Sequence, residues 1–568
     1  DEGGARDISY YENEASRWLS TYTGIMGWTD TIKGELTDAS MEYNSLFEAI
    51  YGEEKPFMNM RMGKISVEEA TEELKRLLDK ILTDKEKGVF AIKADTGLGK
   101  TQAYIDFIMA NKETIGRTLV CVPTHNLKKE VADRFAEVGV EVCQLKKKPD
   151  VGDDCEDKAD YWQALKVGYG SKVQAIWKKY FDKVKKQGVK HPKFPEWDEY
   201  DKSVQKMRHA QIIIITQDQS LYREPEGEFD YVIYDEDVCQ KMIEIKNTTV
   251  RDVKDFVGGF PNQIRFREVL NQIEQANGGR RSLQKGSTGY DAFITTERAN
   301  WHIDIMSAEM KAYKGDIPNT DVFSFMRARS YTIDYNGNIA YSYVRELGYH
   351  GSTVIVLSAT LSPLIFGKLT VGRQAHFYQI THIQNKGIIV QDISETCSKF
   401  HLEGNPEEAI KKIGIRCPDW KERYLITYKP WTKFFEERGA KLYYHYGNKE
   451  NPMSFGNTEG IDALKGQKLL VYGKFSFPEY YYLLWATALN IPIVEGGDIQ
   501  CSQRITHNGY TFRLFTFQQE ELRQIHLYLL EDELEQATGR GRAVREESAD
   551  VVVLCDFPLH NADKVFYR

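Results

Sequence analysis

Residues 89–107 read VFAIKADTGLGKTQAYIDF, and no other stretch limits the fold as tightly. An apolar run (Val89, Phe90, Ala91, Ile92) enters a turn of small residues, ADTGLGKT at 94–101, and an amphipathic segment through Ile105 and Ile108 follows. Strand, glycine-rich turn, Lys-Thr and helix in that order describe a phosphate-binding loop. Small residues such as Gly97 and Gly99 let backbone N–H groups close around phosphate oxygens. They do so at a helix N-terminus, where the peptide dipoles favour an anion. Lys100 is placed to reach the terminal phosphates, and the Thr101 hydroxyl to sit on Mg²⁺. Ala94 stands where the pattern usually has its first glycine. The loop alone admits many nucleotide enzymes, so its context must choose among them.

That context is an alternation of strands and helices. RTLVCVPTHNL at 117–127 is a second buried strand ending in a Thr124-His125-Asn126 turn. AQIIIIT at 210–216, YVIY at 231–234 and TVIVL at 353–357 continue the pattern. Such alternation implies a parallel sheet with crossover helices, whose ligands collect at the carboxyl ends of the strands. The strand at 231–234 runs into Asp235-Glu236-Asp237-Val238. Asp235 suits the ligand sphere of Mg²⁺, and Glu236 suits a general base that takes a proton from attacking water. A second α/β pattern starts near residue 385, with strands at 387–390, 424–427, 469–472 and 551–555. Between them lie TEGID at 458–462 and QATGRGRAVR at 536–545.

Two stretches interrupt the first pattern. From about 144 to 200, lysines alternate with Trp162, Tyr169, Trp177, Tyr180 and Phe181. Cations for phosphates and rings for bases would make a single-strand groove; a solvated helical insertion with its rings turned inward fits the same residues. From about 244 to 345 the chain is expected to be helical between glycine-marked loops, ending in a hairpin with an Asn336-Gly337 turn. Ahead of the core, residues 1–75 read as a helical N-terminal region without assigned chemistry. The apolar positions Ala70, Leu74, Leu77, Leu78, Ile81 and Leu82 share one helix face.

Length and composition bound the rest. At 568 residues the chain exceeds a single core, and about three or four domains are expected. A net charge of −9 means that nucleic acid must be met by local basic surfaces. The eight cysteines are scattered with no CxxC pair. This argues against a zinc site or disulfide framework and for a reducing cytoplasmic compartment. No stretch approaches the ~20 apolar residues of a membrane span, and no membrane partner is expected.

The ordered set ADTGLGKT, VPTHNL, DEDV, LSATL (357–361), TEGID and QATGRGRAVR resembles the superfamily 2 helicases. TEGID and the two insertions resemble more narrowly the XPD/DinG branch. The resemblance implies two RecA-like parallel-sheet domains, at 76–384 and 385–568, with ATP and Mg²⁺ in the cleft between them. It implies two mainly helical insertions in the first, at about 144–207 and 244–345, the latter arch-like. Its expected track is single-stranded DNA, with RNA as the alternative and 5′-to-3′ as the direction. It implies that Lys100, Thr101, Asp235 and Glu236 serve the nucleotide, and that Thr124, His125, Ser358 and Thr360 couple it to the strand. Glu459, Gly460 and Asp462 would line the opposite wall, and Gln536 with an arginine would complete the site. Arg542 is the expected finger, with Arg540 and Arg545 as alternatives, because Ala543 occupies the last arginine position of the usual pattern.

Two further departures follow. Only Cys143 and Cys155 fall near the first insertion, so no iron–sulfur cluster is expected. Val238 replaces a histidine common in relatives. A cytoplasmic enzyme, nucleoid-associated if bacterial, with a replication, repair or defence-complex partner is one expectation. A nucleic-acid-sensing ATPase switch and a P-loop remodelling ATPase without nucleic acid are the alternatives.

Overall fold

In the computed structural model the residues described are 57–58, 64–84, 86–222, 227–259, 264–280, 319–328, 330–334, 336–395, 397–458 and 463–567. Most of the expected N-terminal region 1–75 therefore lies outside them, as do Glu459, Gly460 and Asp462.

Seven parallel strands form the first sheet: β1 (Gly88–Lys93), β2 (Thr118–Val122), β3 (Cys143–Gln144), β4 (Ile212–Thr216), β5 (Tyr231–Asp235), β6 (Thr353–Ser358) and β7 (Ala375–Gln379). Their spatial order is β7-β1-β6-β5-β2-β4-β3, all parallel. β2, β4 and β5 are buried along their whole length, because helices cover both faces. Alternate residues serve two different cores. Phe90, Ile92, Ile212 and Ile214 face one; Val89, Ala91, Ile213 and Ile215 face the other. The sheet order places the loops after β1, β6, β5 and β2 side by side at one edge.

Helix α1 (Val67–Asp84) buries Ala70, Leu74, Leu78, Ile81 and Leu82 against this sheet and leaves Leu77 half-buried. The boundary expected at 75/76 falls within α1, whose apolar face runs from Val67 to Leu82.

The second sheet is also parallel. β8 (Ile388–Asp392), β9 (Tyr424–Ile426), β10 (Lys468–Tyr472), β11 (Asp550–Leu554) and β12 (Lys564–Phe566) stand in the order β9-β10-β11-β8-β12. The two sheets are joined by apolar packing. Tyr482, Leu483 and Trp485 on helix Glu479–Ala488, with Ile525 and Tyr528, share a core with Val89, Val232 and Val356. Each fully buried side chain of this size contributes about 1.5–3 kcal/mol.

The two insertions add detail that the sequence left open. The first, with helices Lys158–Lys166, Gly170–Gln187 and Phe194–Met207, turns most of its rings inward. Tyr161, Tyr180 and Phe181 are buried, and Trp177 packs at a tilt against Phe181 (4.7 Å) while donating to the Pro149 carbonyl (2.8 Å). Of the rings singled out for stacking on bases, Trp162 alone remains substantially exposed, at 42%. Several lysines meet acids instead, including Lys172 with Asp160 (2.9 Å) and Lys179 with Asp157 (2.7 Å).

The second insertion carries helices Val250–Gly258, Ile264–Arg280 and Val322–Met326 among its described residues, and strands beside them. A three-stranded antiparallel sheet of Ile243–Thr249, Asn338–Val344 and Ser330–Ile333 forms its base. Its alternating apolar residues Tyr331, Ile333, Ile339 and Tyr341 close over Phe256 and Phe325. The expected hairpin is present, with Gly337 at φ +79°, but Ile243–Thr249 joins it as a third strand. Both insertions share this core, where Tyr169 stacks on Phe323 at 5.2 Å.

Candidate active site

The loop after β1 enters α2 (Lys100–Ala110) through Gly99, whose φ of +95° lies in the left-handed region. No side chain caps α2, so its first backbone N–H groups remain available to an anion. The next helix, α3 (His125–Glu137), is built differently: the Thr124 hydroxyl accepts from Leu127 N–H at 3.2 Å. Thr124 therefore lines the cleft as a cap, while His125 points to the exposed surface and does not line it. Lys100 is buried, and its ammonium donates to the carbonyls of Ala94 (3.0 Å) and Asp95 (3.2 Å).

Across the sheet, Asp235 ends β5. Its Oδ2 accepts from Thr101 (2.7 Å) and from Tyr104 (2.9 Å). Burial and the neighbouring Glu236 push its carboxyl up to about 6. A buried carboxylate beside a hydroxyl is a donor set that a divalent cation would satisfy and hold ionised. Glu236 is exposed to the cleft and sits at φ +81°. That conformation costs a non-glycine residue roughly 1–3 kcal/mol. It is held by a bond from its N–H to the Leu357 carbonyl (2.8 Å) and by Gln217, which donates to the Asp235 and Glu236 carbonyls (3.1 Å each).

The opposite wall comes from α4 (Glu520–Gly539) and the turn that follows it. Gln536, Arg540, Arg542 and Arg545 line one cleft of about 360 Å³ together with Gly97, Gly99, Lys100, Thr101, Asp235 and Glu236. Among the three arginines, Arg545 reaches the phosphate loop. Its Nε donates to the Gly97 carbonyl (2.6 Å) and its Nη2 to that of Leu98 (2.7 Å). Arg542 sits at φ +56°, and the Arg540 Nε donates to the Gln536 carbonyl at 3.1 Å. Close approach extends to backbone: a Cβ on Gly539 would come within 2.6 Å of the Thr96 methyl.

Ser358 ends β6 and Thr360 lies in the turn that follows, and the Thr360 link crosses the walls. The Thr360 hydroxyl donates to Asp532 on α4, and Asp532 also accepts from Gln240 (2.6 Å) and Gln536 (3.2 Å). Burial, with Asp237 close by, pushes the Asp532 carboxyl well above its usual range. Asp237 in turn accepts from Tyr528 at 2.6 Å. Sequence reading had passed over Gln217, Asp237 and Asp532. Asp237 adjoins Glu236 in the chain, but Asp532 carries no local signal. Ser358 is buried and bonds the Thr360 N–H at 3.3 Å. Val238 packs in the apolar core with Cys239 and Met242, so no polar link passes through that position.

Cys143 and Cys155 lie in different hydrophobic cores. All eight cysteines are buried free thiols. Among the described residues no helix is long and apolar enough to cross a membrane.

A comparison with curated proteins finds no match. Among solved structures, the chain is similar to Mss116p (NTE and C-tail double deletion) bound to ssRNA and AMP-PNP, at 11% identity and a TM-score of 0.32. That alignment covers 90% of this chain and 82% of the other. It is also similar to the DUF1998 helicase MrfA, at 10% identity and a TM-score of 0.30, covering 87% of this chain and 51% of MrfA. A structure of MrfA bound to DNA and AMPPNP gives 11% identity, a TM-score of 0.29 and coverage of 91% and 55%. The chain thus spans about half the length of MrfA. Residues 73–212, which carry the phosphate loop and the Thr124 turn, match the DEAD/DEAH box helicase family, and over that segment the chain is similar to those helicases.

Proposed function

We propose that the chain is an ATP-driven superfamily 2 motor on single-stranded nucleic acid. DNA is its expected track and 5′-to-3′ its direction, as resemblance to the XPD/DinG branch implies. The reading takes the two parallel sheets as two RecA-like domains, the second from about residue 385. One observation carries it: a single cleft is lined by Lys100, Thr101, Asp235 and Glu236 on one side and by Gln536, Arg540, Arg542 and Arg545 on the other.

Magnesium–ATP, when bound, supplies the phosphoanhydride and the counter-charge of the metal. The N–H groups at the open start of α2 bind phosphate oxygens, and Lys100 exchanges its carbonyl partners for them. Thr101 and Asp235, now bonded to each other, would hold the cation. Glu236 orients water and accepts its proton; its exposure to the cleft and fixed backbone suit that task. An arginine of the second wall stabilises γ-phosphate charge only when the walls close. Arg545 is the candidate already in contact with the loop, ahead of Arg542. Thr360 and Asp532 link that closure to the strand site.

ATPase activity against single-stranded DNA, single-stranded RNA and duplex, at two salt concentrations, tests the reading. Stimulation by single strands that high salt removes is expected. Absence of stimulation by any nucleic acid would favour a remodelling ATPase. Stimulation without displacement of a 5′-tailed duplex would favour a sensing switch.

A further inference from the structure

Behind the phosphate loop lies a buried cluster that the proposed hydrolysis does not use. Glu531 and Glu535 stand one turn apart on the same face of α4, and His560 comes from the loop between β11 and β12. All three are at least nine-tenths buried. One ligand atom from each lies within 4.8 Å of the other two. His560 Nδ1 is 2.7 Å from Glu535 Oε1 and 3.7 Å from Glu531 Oε1.

The hydrogen bonds around this cluster leave a gap at its centre. Glu531 Oε1 and both oxygens of Glu535 make no hydrogen bond, although burial of a carboxylate demands partners. On the far side of the ring, His560 Nε2 faces Asp95 Oδ1 at 3.2 Å, and Asp95 accepts also from His382 (2.9 Å) and the Ile383 N–H (2.8 Å). An ionised Asp95 can only accept, so Nε2 carries the proton. Despite burial, Glu535 and Asp95 push the His560 imidazole well above its usual range; Nδ1 faces Glu535 and Glu531, and a metal ion there would displace the Nδ1 proton. Here Glu535 Oε1 lies at contact distance without hydrogen-bond alignment, as two ligands aimed at a common point do.

We infer that Glu531, Glu535 and His560 form a binding site for a first-row divalent transition ion, zinc in the first instance. Zinc takes imidazole nitrogen at ~2.0–2.1 Å and carboxylate oxygen at ~2.0–2.2 Å, so ligand atoms separated by 2.7 and 3.7 Å can share one ion. An imidazole ligand disfavours Mg²⁺. The outer groups are in place. Asp95 holds the His560 tautomer, and His507 faces Glu531 Oε2 at 3.2 Å. Such partners fix ring orientation and raise ligand basicity. The site ties α4 to the loop before β12 and, through Asp95, to the phosphate loop. It stands independently of the proposed motor activity.

The test uses the full chain, stripped by chelator and freed of Mg²⁺ and nucleotide, then titrated with Zn²⁺ by calorimetry and with Co²⁺ by absorption. One ion per chain is expected, with a Co²⁺ spectrum lacking thiolate charge transfer, which separates the site from the cysteines. Glu535→Gln and His560→Gln should each weaken Zn²⁺ at least tenfold, and Asp95→Asn by about tenfold as an outer partner. Asp235→Asn should leave the stoichiometry unchanged. Wild-type protein that takes up no Zn²⁺ or Co²⁺ would overturn the assignment, whatever the variants do. So would equal binding by the wild type and a Glu535→Gln protein of native circular dichroism.

Discussion

On the first wall of the cleft, each group is fixed by its neighbours: Asp235 by Thr101 and Tyr104, Glu236 by Gln217 and the Leu357 carbonyl. On the second wall, Arg540, Arg542 and Arg545 occupy the turn between α4 and β11, and Arg545 rests on carbonyls of the opposite side. One wall is preorganised and the other is positioned by contact across the gap. Fixed donors cost no reorganisation during reaction, whereas groups delivered by closure make turnover depend on the conformation of the whole chain.

Substitutions on the two walls should therefore differ in kind. Lys100→Ala should remove detectable turnover and weaken nucleotide binding, read by ATPase assay and a fluorescent nucleotide. Arg545→Ala should lower kcat by about 10³-fold or more with binding largely kept. If Arg542→Ala causes that loss and Arg545→Ala does not, the loop contact is not the catalytic one. Glu236→Gln should slow turnover by about 10²–10⁴-fold while ATP stays bound; wild-type turnover would refute its role as base.

Smaller effects probe the joint. Asp532→Ala strands the Thr360 hydroxyl and the Gln240 and Gln536 amides. About 1–3 kcal/mol per buried unsatisfied group should appear as a lower Tm, with a weaker response to single strands. The smallest effect is expected in the first insertion. Lys178→Ala or Lys186→Ala should change the logarithmic salt slope of strand binding by well under one; a change near one each would restore that helix as a phosphate-contacting surface.

The first wall was legible because its chemistry is local. Apolar runs such as IIIIT end in polar turns, and each turn carries its reactive residues within a few positions of the strand. The second wall was legible only as a motif: QATGRGRAVR offers three arginines, and reach across 448 positions decides that Arg545 touches Gly97. The contacts of Asp532 with Thr360 and of His560 with Asp95 leave no trace in either local sequence. Among the β elements that the sequence did not mark, two escaped for different reasons. Ile243–Thr249 is IEIKNTT, too polar for a buried run, and pairs with a strand about a hundred residues away. The hairpin Gln500–His507 with Tyr510–Phe517 did carry a signal, since Asn508-Gly509 is a tight-turn pair and both residues have positive φ. In the first insertion, alternating rings and lysines are equally the pattern of an amphipathic helix, and packing chose the inward arrangement.

The approach of Gly539 to Thr96 has a genetic consequence. A Gly539→Ala allele would push one methyl against another across the cleft, so its defect belongs to a pair of residues 443 positions apart. Thr96→Ser deletes the methyl that is struck and should rescue that allele while doing nothing for Arg545→Ala. ATPase activity restored in the double variant would thus read the closed arrangement of the two sheets as allele-specific suppression.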